Sequence, residues 1–183
     1  MFPRLVFVDT ETTGLSPRFC RVIDVGIAVW ENGKIIETWQ SLVNSNVYLS
    51  PTISRITGIT EDQMLDAPDF SDIAWKLKSY LSSGIMVAHN ASFDYNFLNA
   101  EYQKIDDLLE VERVCTVQLS RRLYPNYKSH GLSAIIDRFG INISDRHRAL
   151  PDDLATVEFF DKSLKKFGTS KVLNTLNSLI KKA

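Results

Sequence analysis

Asp9 and Glu11 stand two positions apart at the end of an apolar run, Leu5-Val6-Phe7-Val8. Side chains two apart on an extended strand point the same way, so the two carboxylates converge on one point. Bare, such a pair repels and is costly to desolvate. A divalent cation between them relieves both costs, and carboxylate oxygens are the ligands that Mg²⁺ and Mn²⁺ favour. Another acid, Asp94, closes the segment His89-Asn90-Ala91-Ser92-Phe93-Asp94, where a short apolar stretch gives way to a helical pattern. In open α/β sheets that junction is where ligands bind. The third cluster is His147-Arg148-Ala149-Leu150-Pro151-Asp152-Asp153. Proline suits a helix's first turn. That places Asp152 and Asp153 in the turn and leaves His147 in the loop before it, free to lean over whatever Asp152 binds. Each cluster alone has a plainer account. Acids in a first turn offset the helix dipole, and a loop histidine is often plain surface.

The elements that must position these groups are readable from periodicity. Residues 5–8 read as a strand buried on both faces. Residues 21–30 put Ile23, Val25, Ile27 and Val29 on one face, and Asn32-Gly33 then signals a hairpin into a strand over 35–43. Residues 44–68 read as a loop with short helical pieces. Phe70, Ile73, Ala74, Leu77, Tyr80 and Leu81 repeat at helical spacing, with Gly84 as a stop. Residues 85–88 form a short buried strand, after which Asn90 or Ser92 can cap a helix bearing Phe93, Phe97, Leu98 and Tyr102. Further helices follow from Leu132, Ile135, Ile136 and Phe139, closed by Gly140, and from Leu154, Val157, Leu164 and Phe167. The tail 169–183 reads as an amphipathic helix ending in lysines. An antiparallel opening followed by alternating helices and strands implies a mixed sheet flanked by helices.

Together, the order and spacing of these clusters resemble the DEDD superfamily of 3′–5′ exonucleases, in its histidine-bearing DEDDh branch. The matching segments are Phe7-Val8-Asp9-Thr10-Glu11-Thr12-Thr13-Gly14-Leu15, His89-Asn90-Ala91-Ser92-Phe93-Asp94 and His147-Arg148-Ala149-Leu150-Pro151-Asp152. Ile56-Thr57-Gly58-Ile59-Thr60 and Ser129-His130-Gly131-Leu132 also look like family segments. The resemblance covers about residues 4–166 and extends to the proofreading exonucleases of bacterial DNA polymerase III. It implies an α/β, ribonuclease H-like fold with a five-stranded mixed sheet. It implies Asp9, Glu11, Asp94 and Asp152 as ligands of two divalent ions, Mg²⁺ or Mn²⁺, and His147 as general base. Thr10, Thr12 and Leu15 would meet the terminal nucleotide, with His89, Asn90 and Phe93 lining its pocket. The implied reaction is hydrolysis at the 3′ end of single-stranded or frayed DNA, releasing nucleoside 5′-monophosphates, with a DNA polymerase as a possible partner. An RNA or short-oligonucleotide substrate is the alternative, and a non-catalytic subunit docking through the tail is a second. Three departures stand out. Thr57 occupies a position where many members carry histidine, Asp153 one that is usually small, and Pro151 falls inside the third motif.

Bulk properties set limits. The 183 residues are 44% hydrophobic and 23% charged, ordinary for one globular domain over 1–183. Twenty-one basic residues against 22 acidic give a net charge of −1, so nucleic acid cannot be held by overall charge. Local help is available from Arg121, Arg122 and Lys128, and from Arg146 and Arg148, although solvated surface charge explains them equally well. Cys20 and Cys115 form neither a zinc motif nor a disulfide framework. The opening apolar stretch is too short for a signal core or a membrane span, so a cytoplasmic protein is expected.

Overall fold

The computed structural model describes residues 2–143 and 146–182. Five strands, β1 (Leu5–Thr12), β2 (Val22–Glu31), β3 (Lys34–Leu42), β4 (Ile85–Ala88) and β5 (Arg113–Cys115), form one sheet in the order β3-β2-β1-β4-β5. The helices are α1 (Pro51–Thr57), α2 (Glu61–Leu65), α3 (Phe70–Leu81), α4 (Ala91–Gln103), α5 (Thr116–Leu123), α6 (Leu132–Phe139), α7 (Ala149–Phe167) and α8 (Thr169–Asn177). β1 pairs antiparallel with β2 and parallel with β4, so the sheet is mixed. This is the ribonuclease H-like arrangement implied by the motifs.

Strand parity decides where the chemistry faces. Leu5 and Phe7 belong to one core, with Ala28, Trp30, Val157 and Phe160. Val6 and Val8 belong to the other, with Ile27, Val29, Leu77 and Phe97. Asp9 and Glu11 continue the parity of Leu5 and Phe7, so they lie on the face that α7 covers. The single apolar face expected for residues 21–30 is only half the picture. β2 is a central strand, buried on both sides through Trp30.

The hairpin turn at Asn32 and Gly33 has positive φ at both residues, 51° and 87°, as a twist-matched two-residue turn requires. Gly84 does not stop α3, whose cap is Ser82. A Cβ on Gly84 would sit 2.4 Å from the Arg4 carbonyl oxygen, so close backbone approach explains the glycine. The tail helix ends at Asn177, and Lys181 pairs through its backbone with Arg113. Val172, Leu176 and Leu179 bury against the α7-side core, so the apolar face of α8 is turned inward; Ala183, the last residue of the expected helix, lies outside the described residues. Among the described residues no helix is long and apolar enough to cross a membrane.

α7 begins directly on β2. A Cβ at Gly26, the residue opposite Asp9, would meet Leu150 N at 2.4 Å and the Ala149 carbonyl carbon at 2.5 Å. Gly26→Ala must therefore push the start of α7 off the sheet. Overpacking of this kind costs roughly 1–3 kcal/mol. A lowered thermal midpoint together with weakened metal binding is expected, measured by melts with and without Mn²⁺; an unchanged midpoint would contradict this packing.

Candidate active site

Three segments converge at the carboxyl end of β1. Asp94 enters from the first turn of α4 and accepts hydrogen bonds at Oδ1 from the Thr10 backbone N (3.1 Å) and the Thr10 hydroxyl (2.9 Å). The chain reverses into α4 at Asn90, which adopts a left-handed conformation (φ 78°) that asparagine tolerates better than most residues. Further along, Glu101 of α4 is buried and accepts from Arg21 Nε (2.8 Å), Arg21 Nη2 (2.8 Å) and the Val22 N–H (3.3 Å). This bidentate ion pair ties α4 to the start of β2, and through α4 it fixes the position of Asp94.

The third segment is tied just as firmly. Asp24, fully buried on β2, accepts from Arg148 Nε (2.9 Å), the Ala149 N–H (3.3 Å) and Gln40 Nε2 (2.9 Å). The clamp holds the residues on either side of the first α7 peptide against the sheet. His147 immediately before it is exposed and left-handed (φ 61°), a conformation that surrounding contacts must hold in place. Its backbone N–H donates to Asp152 Oδ2 at 3.3 Å, and Arg146 Nε lies 3.0 Å from Asp152 Oδ1. A ring nitrogen of His147 and one oxygen each from Glu11 and Asp152 all lie within 4.8 Å of one another. The structure thus brings together the ends of segments more than 130 positions apart in the chain.

The electrostatics show what the cluster lacks. Burial is the first cause that pushes the Asp9 carboxyl well above the usual carboxylate range, followed by the charges of Asp94, Glu11, Asp152 and Asp153. Glu11 is pushed up to about 7, by burial and then by Asp152, Asp24 and Asp94, against a smaller lowering by Arg148. Asp94 is also pushed up to about 7 by burial, although the Thr10 hydrogen bonds oppose the shift. Asp152 is raised by burial and partly restored by Arg146 and the His147 N–H. Two carboxylate oxygens and an imidazole nitrogen within 4.8 Å of one another, with the Asp9 and Asp94 carboxyls bearing on them electrostatically, fit divalent cations of the Mg²⁺ and Mn²⁺ class.

The other residues singled out in the sequence fall into distinct places. Leu15 stands 86% exposed beyond Gly14, available to a ligand. Phe93 packs on Phe97 with ring centroids 4.8 Å apart. Thr10 and Thr12 are turned inward: the Thr10 hydroxyl braces Asp94 and the Thr12 hydroxyl donates to the Gly14 carbonyl at 2.6 Å. His89 Nδ1 sits 2.9 Å from the Thr116 hydroxyl, and burial pulls its pKa down to about 4, so its ring is neutral. Thr57 is buried and bonds back to the Ile53 carbonyl, which leaves it no hydroxyl to offer a nucleotide. α7 starts at Ala149, two residues before Pro151, so Asp152 ends the first turn and Asp153 lies beyond it. A proline within the first four residues removes an N–H that had no helical partner. Asp24, Gln40 and Glu101 escaped the sequence reading. The available signal was an acid inside an otherwise apolar strand, Val22-Ile23-Asp24-Val25, because a buried charge requires a partner.

The sheet order and the acids at its carboxyl edge define a ribonuclease H-like nuclease. The exonuclease family model RNase_T matches residues 6–160. The PolC-type DNA polymerase III of Bacillus subtilis (strain 168) is 40% identical over 165 residues, covering 87% of this chain and 11% of that protein. The PolC-type DNA polymerase III of Staphylococcus aureus is 34% identical over 170 residues, 92% of this chain and 12% of that protein. The chain thus spans about a tenth of the length of these curated relatives. Among solved structures, exonuclease X in complex with 5′ overhanging duplex DNA aligns with a TM-score of 0.75 at 27% identity, over 94% of this chain and 99% of that one. The zinc-bound E. coli ExoI–ssDNA complex shares the fold with a TM-score of 0.80 at 19% identity, over 97% of this chain and 43% of that one. The chain belongs to the RNase_T exonuclease family.

The raised carboxyls set the sign of the pH dependence. Glu11 and Asp94 hold protons in the fold up to about 7, whereas their ordinary values are 4.5 and 3.8. Between those limits the folded chain binds more protons than the unfolded one, so its stability falls as pH rises. In EDTA, melts should show this contribution lost progressively from about pH 4 to about pH 7. With saturating Mn²⁺ the fall should flatten or reverse, since ions compete with those protons. Identical pH profiles with and without Mn²⁺ would contradict the assignment.

Proposed function

We propose that this chain trims DNA from its 3′ end, on single-stranded or frayed termini, and releases nucleoside 5′-monophosphates as the proofreading activity of a replicative DNA polymerase. The observation that carries this is the meeting of Glu11, Asp152 and His147 within 4.8 Å at the end of β1, in a chain whose curated relatives are PolC-type DNA polymerases. Asp9, Glu11, Asp94 and Asp152 would hold two divalent ions, Mg²⁺ or Mn²⁺. Bound there, such ions stabilise charge on the attacking and leaving oxygens of an in-line displacement.

The remaining work falls to the side chains. His147, exposed on its loop and held through its own N–H, takes the proton of the attacking water; imidazole as a type titrates near neutral pH. Asp152 keeps the His147 loop in register while sharing in metal binding. Leu15 presents an apolar surface for the last base, and Phe93, packed on Phe97, backs the pocket beside Asn90 and His89. The neutral His89 offers a hydrogen bond without adding charge near the phosphate. The chain has almost no net charge, so phosphate attraction rests on bound cations and on neighbours such as Arg146 and Arg148.

Matched DNA and RNA single strands labelled at the 3′ or 5′ end separate the possibilities. A 5′-labelled DNA ladder shortening from the 3′ end, with mononucleotides as product and no activity in EDTA, is expected. RNA degraded faster than DNA would overturn the DNA assignment. His147→Ala should lower kcat by about 10²–10⁴-fold, the usual contribution of a general base, with end binding retained. Unchanged turnover in that variant would remove His147 from the chemistry.

A further inference from the structure

Asp153 is handled unlike the other buried acids of this chain. It follows Asp152 on α7 and is 1% exposed; no side chain hydrogen-bonds its carboxylate, and the one donor recorded beside it is the Ala28 backbone, too poorly placed for a hydrogen bond of ordinary geometry. Asp24 is equally buried and accepts from Arg148, Ala149 and Gln40. Glu101 has Arg21 and the Val22 N–H, and Asp94 has Thr10. Buried polar groups almost always find partners, and an uncompensated carboxylate is among the most expensive groups to bury. Asp153 therefore needs a reason.

Its surroundings supply one. Asp153 lies over the β2 backbone at Ala28, and Ala28 is opposite Phe7 on β1. The next residue of that parity on β1 is Asp9. The charged groups that Asp153 meets are Asp94 and Asp9, both acids. It thus sits between α7 and the sheet, close to Asp9 and Asp94, and among the described residues no basic side chain bears on it.

We propose that Asp153 belongs to the divalent-cation centre as a fifth carboxylate, placed close to Asp9 and Asp94, where it tightens the hold on the cations without touching substrate. This rests on the reading of Asp9, Glu11, Asp94 and Asp152 as cation ligands. Groups that support metal ligands from behind typically contribute 10–100-fold in metal affinity, about what a positioning residue here should supply.

The test is calorimetric titration of Mn²⁺ into the wild-type chain and into Asp153→Ala and Asp153→Asn, with melts of each protein in EDTA. Asn keeps the volume and Ala removes it, so a packing defect in one variant does not obscure the other. Expected is a Kd for Mn²⁺ weakened by about 10–100-fold in both variants, with a metal-free melting temperature in Asp153→Asn at or above that of wild type. Wild-type affinity in both variants would overturn the proposal, as would a fall in the metal-free melting temperature of Asp153→Asn, which marks a structural contact. Failure of the wild-type chain itself to bind Mn²⁺ would be a separate result, sinking the ligand assignment on which the proposal rests.

Discussion

Several carboxylates buried side by side repel one another, and the rest of this structure is arranged around that constraint. Asp9 alone feels Asp94, Glu11, Asp152 and Asp153. Desolvation alone strongly disfavours a charged acid, and like charges add to the penalty. A chain under no other requirement would let these groups drift apart into water. They stay together because each is carried on an element whose position is fixed by contacts that the repulsion cannot break. β1 is the middle strand of the sheet, paired on both edges. α4 is fastened by the Arg21–Glu101 pair and α7 by the Asp24–Arg148 pair. Removing one partner of a buried pair costs roughly 3–5 kcal/mol, because the other is left uncompensated. These two clamps hold α4 and α7 in place against the repulsion among the acids.

The clamps also explain how an irregular loop can hold the proposed general base. His147 has a backbone conformation that L-residues rarely adopt, and its side chain is exposed. Such a residue would ordinarily fray. Here Arg148 on one side is bound to Asp24, and the His147 N–H is bound to Asp152. The imidazole is exposed while the backbone around it is held from both sides. Asp24 stands opposite Glu11 on β2 and also fixes where α7 begins, one residue after His147. Gln40 extends the same anchor to β3, so the edge of the sheet farthest from β5 takes part in placing the loop.

How much of this can be read without coordinates depends on the range of the signal. Strand β1, the Asn32-Gly33 hairpin, α3 and α6 are legible because their evidence is local: an apolar run, a turn dipeptide, a helical stripe. The acids are legible because three short motifs keep their order. β5 escapes because three residues, Arg113–Cys115, are too few to show a period. The early start of α7 escapes because Pro151 reads naturally as a first residue, and a proline two positions further in leaves the same pattern. The Asp24–Arg148 clamp escapes for a different reason. Its partners are 124 positions apart, and Arg148 looks like any surface arginine until the sheet beneath it is known.

The same reasoning assigns meaning to the glycine opposite Asp9. A metal site built from β1 and α7 needs their backbones close, because carboxylate side chains are short and ion–oxygen distances near 2 Å leave little slack. The approach is limited by whatever lies between helix and sheet. At Gly26 nothing lies between: a single carbon there would overlap the first turn of α7. The absence of a side chain on β2 thus sets the distance between acids on two other elements, and α7 descends far enough for Asp152 to reach the same point as Glu11. A larger residue at that position would keep the motifs intact and still separate Asp152 from Glu11, which is why the glycine matters to the candidate site although it carries no chemistry.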